Sequence, residues 1–104
     1  MALLKVFWTQ TAILQRNLVF RYWNNRNKSN EYSIKLNIEI KERILLLKSY
    51  PFIGKKTEFQ DIRILPIKHY SILYKIENSR ILIMAFWDNR QNPRKLLKLL
   101  RENK

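Results

Sequence analysis

Residues 61–93 read DIRILPIKHYSILYKIENSRILIMAFWDNRQNP, and the alternation in this stretch decides the fold. From Gln60 to Ile67, Ile62 and Ile64 alternate with Arg63 and Leu65, and Pro66 suits a strand end near a turn. From His69 to Ile76 the alternation is clearer. Tyr70, Ile72, Tyr74 and Ile76 share one side, and His69, Ser71 and Lys75 share the other. Glu77-Asn78-Ser79 is a tight-turn signal. Arg80 to Trp87 is apolar on both faces, which is the pattern of a central strand. Pro93 suits the first turn of a last helix reaching about Arg101, with Leu96, Leu97, Leu99 and Leu100 on its apolar side.

Upstream of this stretch the period changes. Residues 3–8, LLKVFW, read as a short strand with Leu4, Val6 and Trp8 on one face and Leu3, Lys5 and Phe7 on the other. Thr9 is a plausible N-cap for a helix from Gln10 to about Arg26, with Ala12, Val19, Tyr22 and Trp23 on one side. Asn24 to Lys28 reads as a turn, and Ser29 as the cap of a second helix running to about Tyr50. Its core stripe is Leu36, Ile40, Ile44 and Leu47, and Ile34, Ile38 and Leu45 widen the apolar surface beyond that stripe. Pro51 and the only glycine, Gly54, end it. The predicted order is β-α-α-β-β-β-α. This is an α+β fold in which an N-terminal helical hairpin covers a small antiparallel sheet, as one domain over residues 1–104.

Composition bounds the function. The chain carries 21 basic and 8 acidic residues, a formal charge of +13. Residues 1–50 hold 9 basic and 3 acidic side chains and residues 51–104 hold 12 and 5, so the charge is spread and is no tail. Such a field favours a polyanionic partner: nucleic acid, the ribosome or an acidic protein. The abundance of Lys, Ile and Asn also fits AT-rich coding, the plain alternative. With no cysteine, disulfides and thiolate metal sites are excluded, and a single histidine makes a transition-metal site improbable. No Gly-rich phosphate loop, Gly-x-Ser-x-Gly turn or carboxylate pair is present, and no cofactor is implied. The longest apolar run, Ile81 to Trp87, is too short to span a bilayer, and the N-terminus lacks a signal-peptide pattern. A cytoplasmic protein without a membrane role is expected.

What remains is basic and aromatic. Neighbouring antiparallel strands would bring Arg63, His69 and Arg90 near one surface. Metal-free RNA cleavage needs an acid, a base and cations that hold the phosphate. On that reading Arg63 and Arg90 are the candidate catalytic residues, and Lys55, Lys56, Lys68, His69 and Arg94 the candidate phosphate- or target-binding ones. Plainer readings stand beside these. Lys55 and Lys56 are then solvated loop charges, His69 a solvated turn residue, and Arg63 a cross-strand partner of Lys75 or of a carboxylate. Tyr70 and Tyr74 fit the core better than base stacking. Asp88 orients Arg90, or else Asn92 or Asp88 caps the last helix.

The series VFWTQTA at 6–12, YW at 22–23, LNIEIKERILLL at 36–47, YPFIGKK at 50–56, DIRILPIKHYSILYKI at 61–76 and ILIMAFWDNRQNP at 81–93 resembles the RelE/ParE superfamily of bacterial type II toxins. Most specific are Arg63 seven residues before Tyr70-x-Ile72-x-Tyr74, and the closing Asp88-x-Arg90-Gln91-x-Pro93. The resemblance implies a small cytosolic toxin neutralised by a cognate antitoxin. That antitoxin packs a helix on the toxin's hairpin or fills its basic site, for which Ile34, Ile38 and Leu45 are the candidate contacts. It also implies one of two targets: mRNA on the ribosome, which RelE-like toxins cleave, or DNA gyrase, which ParE-like toxins inhibit. The chain departs from the RelE pattern in having Ser71 where that group has arginine, and neither histidine nor tyrosine after Asp88. Arg90 does match the arginine that follows the last strand. A non-toxic RNA-binding module and a helical-hairpin adaptor are the alternatives outside the family.

Overall fold

The computed structural model describes residues 4–59 and 61–102. Leu3 and Gln60, both assigned to strands from the sequence, lie outside them. The elements are β1 (Lys5–Trp8), α1 (Gln10–Asn27), α2 (Glu31–Ser49), β2 (Lys55–Lys56), β3 (Arg63–Ile67), β4 (Tyr70–Glu77), β5 (Arg80–Asp88) and α3 (Pro93–Glu102). The expected α+β order is present, with the two-residue strand β2 added. The sheet runs β1-β5-β4-β3-β2. β2 to β5 are antiparallel neighbours, whereas β1 lies parallel to β5, with Lys5 opposite Arg80 and Trp8 opposite Ile83. The sheet is therefore mixed. Parallel pairing follows from the hairpin, which carries the chain across the sheet and back before β5 forms.

Two helix boundaries differ from the sequence reading. Asn24 to Asn27 continue α1, since no glycine or proline interrupts them, and Lys28 ends it in the left-handed region with φ 52°. The α2 cap is Asn30, not Ser29; the Ser29 hydroxyl accepts the Glu31 N–H at 3.2 Å from just outside. Thr9 caps α1 as expected, its hydroxyl oxygen accepting the Ala12 N–H at 3.1 Å.

The core lies between hairpin and sheet. Ala12, Leu36, Ile40 and Leu47 are fully or nearly fully buried against Leu65, Ile67, Tyr70, Ile72, Tyr74, Ile81, Ile83 and Phe86. Each buried Leu or Ile side chain among them contributes about 1.5–3 kcal/mol by burial. On the opposite face Ile62, Leu73, Ala85 and Trp87 form a second cluster under Leu96 and Leu99 of α3. Leu97 and Leu100 lie outside the described side chains. Covering both faces explains why β5 lacks alternation.

A β-bulge sets the end of β5. Tyr74 pairs with Ile83 and Leu73 with Ala85, so Met84 is the extra residue. Before it the odd-numbered Ile81 and Ile83 face the helices; after it the even-numbered Phe86 does, and Trp87 turns to the α3 side. The inserted residue reverses the parity of everything downstream. Asp88, two residues past Phe86, is thereby put on the α1 side of the sheet.

Candidate functional site

β1 ends opposite Ile83, while β5 continues to Asp88, so the backbone of β5 beyond Ile83 has no strand on that side. Side chains take over the ladder. The Thr9 hydroxyl lies 3.3 Å from the Met84 carbonyl, and the Gln15 side-chain oxygen accepts the Phe86 N–H at 2.9 Å. Where β1 stops, a groove of about 630 Å³ opens between α1 and the strand ends. Leu18, Val19 and Tyr22 form its helical wall, and Tyr70, Phe86, Asp88 and Arg90 its floor and far side.

The floor is an aromatic series. Tyr70 stacks on Phe86 with ring centroids 5.2 Å apart. The Trp23 indole N–H donates to the Tyr70 oxygen at 2.7 Å, and Trp23 packs on Tyr32 at 4.6 Å and edge-on to Tyr22 at 5.2 Å. Burial pushes the Tyr70 phenol up from its ordinary value, so it stays neutral.

Over this series stands Arg90, its guanidinium 6.0 Å from both the Trp23 and the Tyr70 rings. Asp88 holds it bidentately: Nε donates to Oδ1 and Nη2 to Oδ2, each at 2.9 Å, and the Arg90 backbone N–H donates to Oδ1 at 2.9 Å. The hydrogen bonds from Arg90 hold the Asp88 carboxyl below its ordinary value, and the carboxylate raises Arg90 further. Asp88 thus orients Arg90. Asn92 caps α3, its side-chain oxygen accepting the Arg94 N–H at 2.9 Å.

The remaining candidates scatter. His69 and Lys68 are exposed at the β3–β4 turn. The His69 carbonyl accepts the Asn89 N–H at 2.9 Å. Lys68 is engaged with Glu39 at 3.2 Å and lies 5.3 Å from the Tyr32 ring. Arg94 is exposed on α3, and Lys55 and Lys56 are exposed on β2. Ile34, Ile38 and Leu45 are 51%, 52% and 61% exposed, on the face of α2 opposite its core stripe.

Arg63 does not join this site. It sits opposite Tyr74, four residues along β4 from Tyr70, or about 13 Å at strand rise. Its Nη1 donates to the carbonyls of Gly54 at 2.8 Å and Phe52 at 3.2 Å, with the guanidinium 5.1 Å from the Phe52 ring. The expected common surface of Arg63, His69 and Arg90 is thus split: His69 and Arg90 lie at one end of the β3–β4 hairpin and Arg63 at the other. Nor does Arg63 pair with Lys75, which holds Glu77 at 3.2 Å.

Chemically, Arg90 and Asp88 are fixed as charges and Tyr70 as a neutral phenol. None of the three exchanges a proton readily near neutrality, as general acid–base catalysis requires. Among the described residues no three His, Cys, Asp or Glu side chains gather to hold a metal. No helix there is long and apolar enough to cross a membrane. Gln15 and Leu18 were missed from sequence. Leu18 had a signal, because Leu14, Leu18 and Tyr22 form an exposed stripe at a spacing of four. Gln15 had none, since its role depends on where β1 stops.

The sequence model described as ParE toxin of the type II toxin-antitoxin system, parDE, matches residues 6–93, and the chain belongs to this family. A solved structure, "Chromosomal ParDE TA system from P. aeruginosa", is similar in fold. It has a TM-score of 0.71 at 17% identity, over 83% of this chain and 96% of that one. No curated protein sequence matches the chain.

Proposed function

We propose that this toxin inhibits growth by binding a protein target, DNA gyrase, and does not cleave RNA. The observation that carries the reading is the separation and commitment of its two arginines. Arg63 is spent on loop carbonyls at one end of the hairpin, and Arg90 on Asp88 at the other. A ribonuclease of this size needs cations and a proton-exchanging group converging on one phosphate. Membership in the ParE family supports the same target. On this reading the protein acts in the cytoplasm and is neutralised by a cognate antitoxin. The exposed stripe of Ile34, Ile38 and Leu45 supports a hairpin-packing antitoxin helix, with apolar anchors at helical spacing.

The test is a supercoiling assay with purified gyrase beside translation on purified ribosomes. Expected are blocked supercoiling and intact mRNA. Codon-phased mRNA cuts with unaffected gyrase would overturn the proposal and restore the nuclease reading.

A further inference from the structure

The turn after α2 projects three large apolar side chains: Tyr50, Phe52 and Ile53 are 64%, 67% and 48% exposed. Exposed apolar tips are usually mobile, but this one is clamped from below. The Tyr74 hydroxyl donates to the Pro51 carbonyl at 2.8 Å and accepts the Gly54 N–H at 2.8 Å. Arg63 ties down the Phe52 and Gly54 carbonyls, and the Ile53 N–H reaches the Tyr50 carbonyl at 3.1 Å. Together Ser49 to Ile53 shape a shallow hollow of about 440 Å³. A rigid apolar tip loses little entropy on binding, the condition for an interface anchor.

Its surroundings define the occupant. From residue 43 to residue 57 the chain holds no acidic residue; Lys48, Lys55 and Lys56 flank the tip, while Arg43 is turned to the Pro66 carbonyl at 3.4 Å. The nearest carboxylates in sequence are Glu42 on one side and Glu58 and Asp61, beyond β2, on the other; Asp61 lines the adjoining hollow with Lys56 and Arg63. An apolar centre with a cationic rim fits an acidic protein surface that offers an apolar cleft. Single-stranded nucleic acid fits less well. It needs a series of free aromatic faces, whereas Ile53 has none and Phe52 already carries the Arg63 guanidinium.

We infer that the Tyr50–Ile53 tip, with Lys55 and Lys56, is the surface on which the toxin docks its target, an acidic protein, apart from the α2 stripe assigned to the antitoxin. This rests on the reading that the target is a protein. Phe52→Ala/Ile53→Ala and Lys55→Glu/Lys56→Glu are compared with wild type for growth arrest on induction, antitoxin binding and inhibition of purified gyrase. Both pairs are exposed, so folding should persist, and antitoxin binding checks it. Expected is a loss of growth arrest and about tenfold weaker gyrase inhibition, as for loss of a central anchor, with antitoxin affinity unchanged. If both variants arrest growth like wild type, the inference is overturned whatever the target. If they lose arrest while wild type leaves gyrase untouched, the docking surface stands and the gyrase reading falls. A wild type that arrests nothing overturns both. So does a loss of arrest that tracks loss of binding to a uridine oligonucleotide, which would assign the tip to RNA.

Discussion

Gly54 and Tyr74 are fitted to each other: a Cβ at Gly54 would lie 2.5 Å from the Tyr74 hydroxyl and 2.7 Å from its Cε1. The only glycine in the chain is required here by close approach and not by a positive φ. Gly54→Ala must push the ring or the loop aside, at a cost of about 1–3 kcal/mol by overpacking. Tyr74→Phe opens no steric conflict but leaves the Gly54 N–H and the Pro51 carbonyl without their partner, at about 1–3 kcal/mol. Thermal or urea denaturation of the two variants measures both.

The bulge makes a separate prediction. Deleting Met84 would remove the extra residue and leave a regular β4–β5 ladder in which Ala85, Phe86, Trp87 and Asp88 keep their partners and their faces. The deletion should therefore keep a cooperative unfolding transition, with its cost confined to the lost Met84 side chain and the altered local twist. Met84→Leu, which keeps the count and nearly the volume, should cost less than about 1.5 kcal/mol. Circular dichroism melts of the pair separate register from side-chain chemistry.

Asp88 gives the pH dependence. Its pKa is lowered in the folded state, below an ordinary value of 3.8, chiefly by the hydrogen bonds from Arg90. A depressed carboxyl contributes stability that is present above the unfolded pKa and lost as pH falls through the folded one. Wild type should therefore exceed Arg90→Ala in stability at neutral pH; the difference should begin to shrink as pH falls past about 4 and vanish only below the lowered folded-state pKa. Because the guanidinium is solvated, the difference should also shrink in high salt. An NMR titration of the Asp88 carboxyl should find it low in wild type and back near its ordinary value in Arg90→Ala.

Much of this fold was legible because its signals are local. Leu36, Ile40 and Leu47 at helical spacing, the alternation of Tyr70 to Ile76, and Pro93 at the first turn of α3 each declare themselves within a few residues. What was not legible depends on register. The Met84 bulge has no glycine or proline to mark it, and the parallel β1–β5 pair joins segments some 75 residues apart. The candidate site suffered most. Arg63 on β3 and Arg90 just past β5 both lie beside β4 in the chain order, but only the pairing of Arg63 with Tyr74 and Tyr70 with Asp88 reveals that they serve opposite ends. Asn24 to Lys28 looked like a turn by composition; the Ser33 hydroxyl donating to Asn24 at 2.6 Å helps hold it against α2 instead.

The two arginines should therefore fail differently. In Arg63→Ala the Phe52 and Gly54 carbonyls lose their shared donor, while the Tyr74 clamp on the same loop remains. The loop should open more often without global unfolding, and the Ile53 and Gly54 amides should exchange about tenfold faster, as for loss of roughly 1.4 kcal/mol of local stability. In Arg90→Ala those amides should keep wild-type protection, because Arg90 stands at the far end of the hairpin against Trp23 and Tyr70. Growth arrest should fall in Arg63→Ala in step with loop opening, and a second change that re-stiffens the loop should restore it. A catalytic Arg63 would behave otherwise. Its loss would remove activity with the Ile53 and Gly54 amides fully protected, and no loop-stiffening change could compensate. Hydrogen exchange on the two variants, scored beside growth arrest, distinguishes a guanidinium that shapes a docking loop from one that acts on a phosphate.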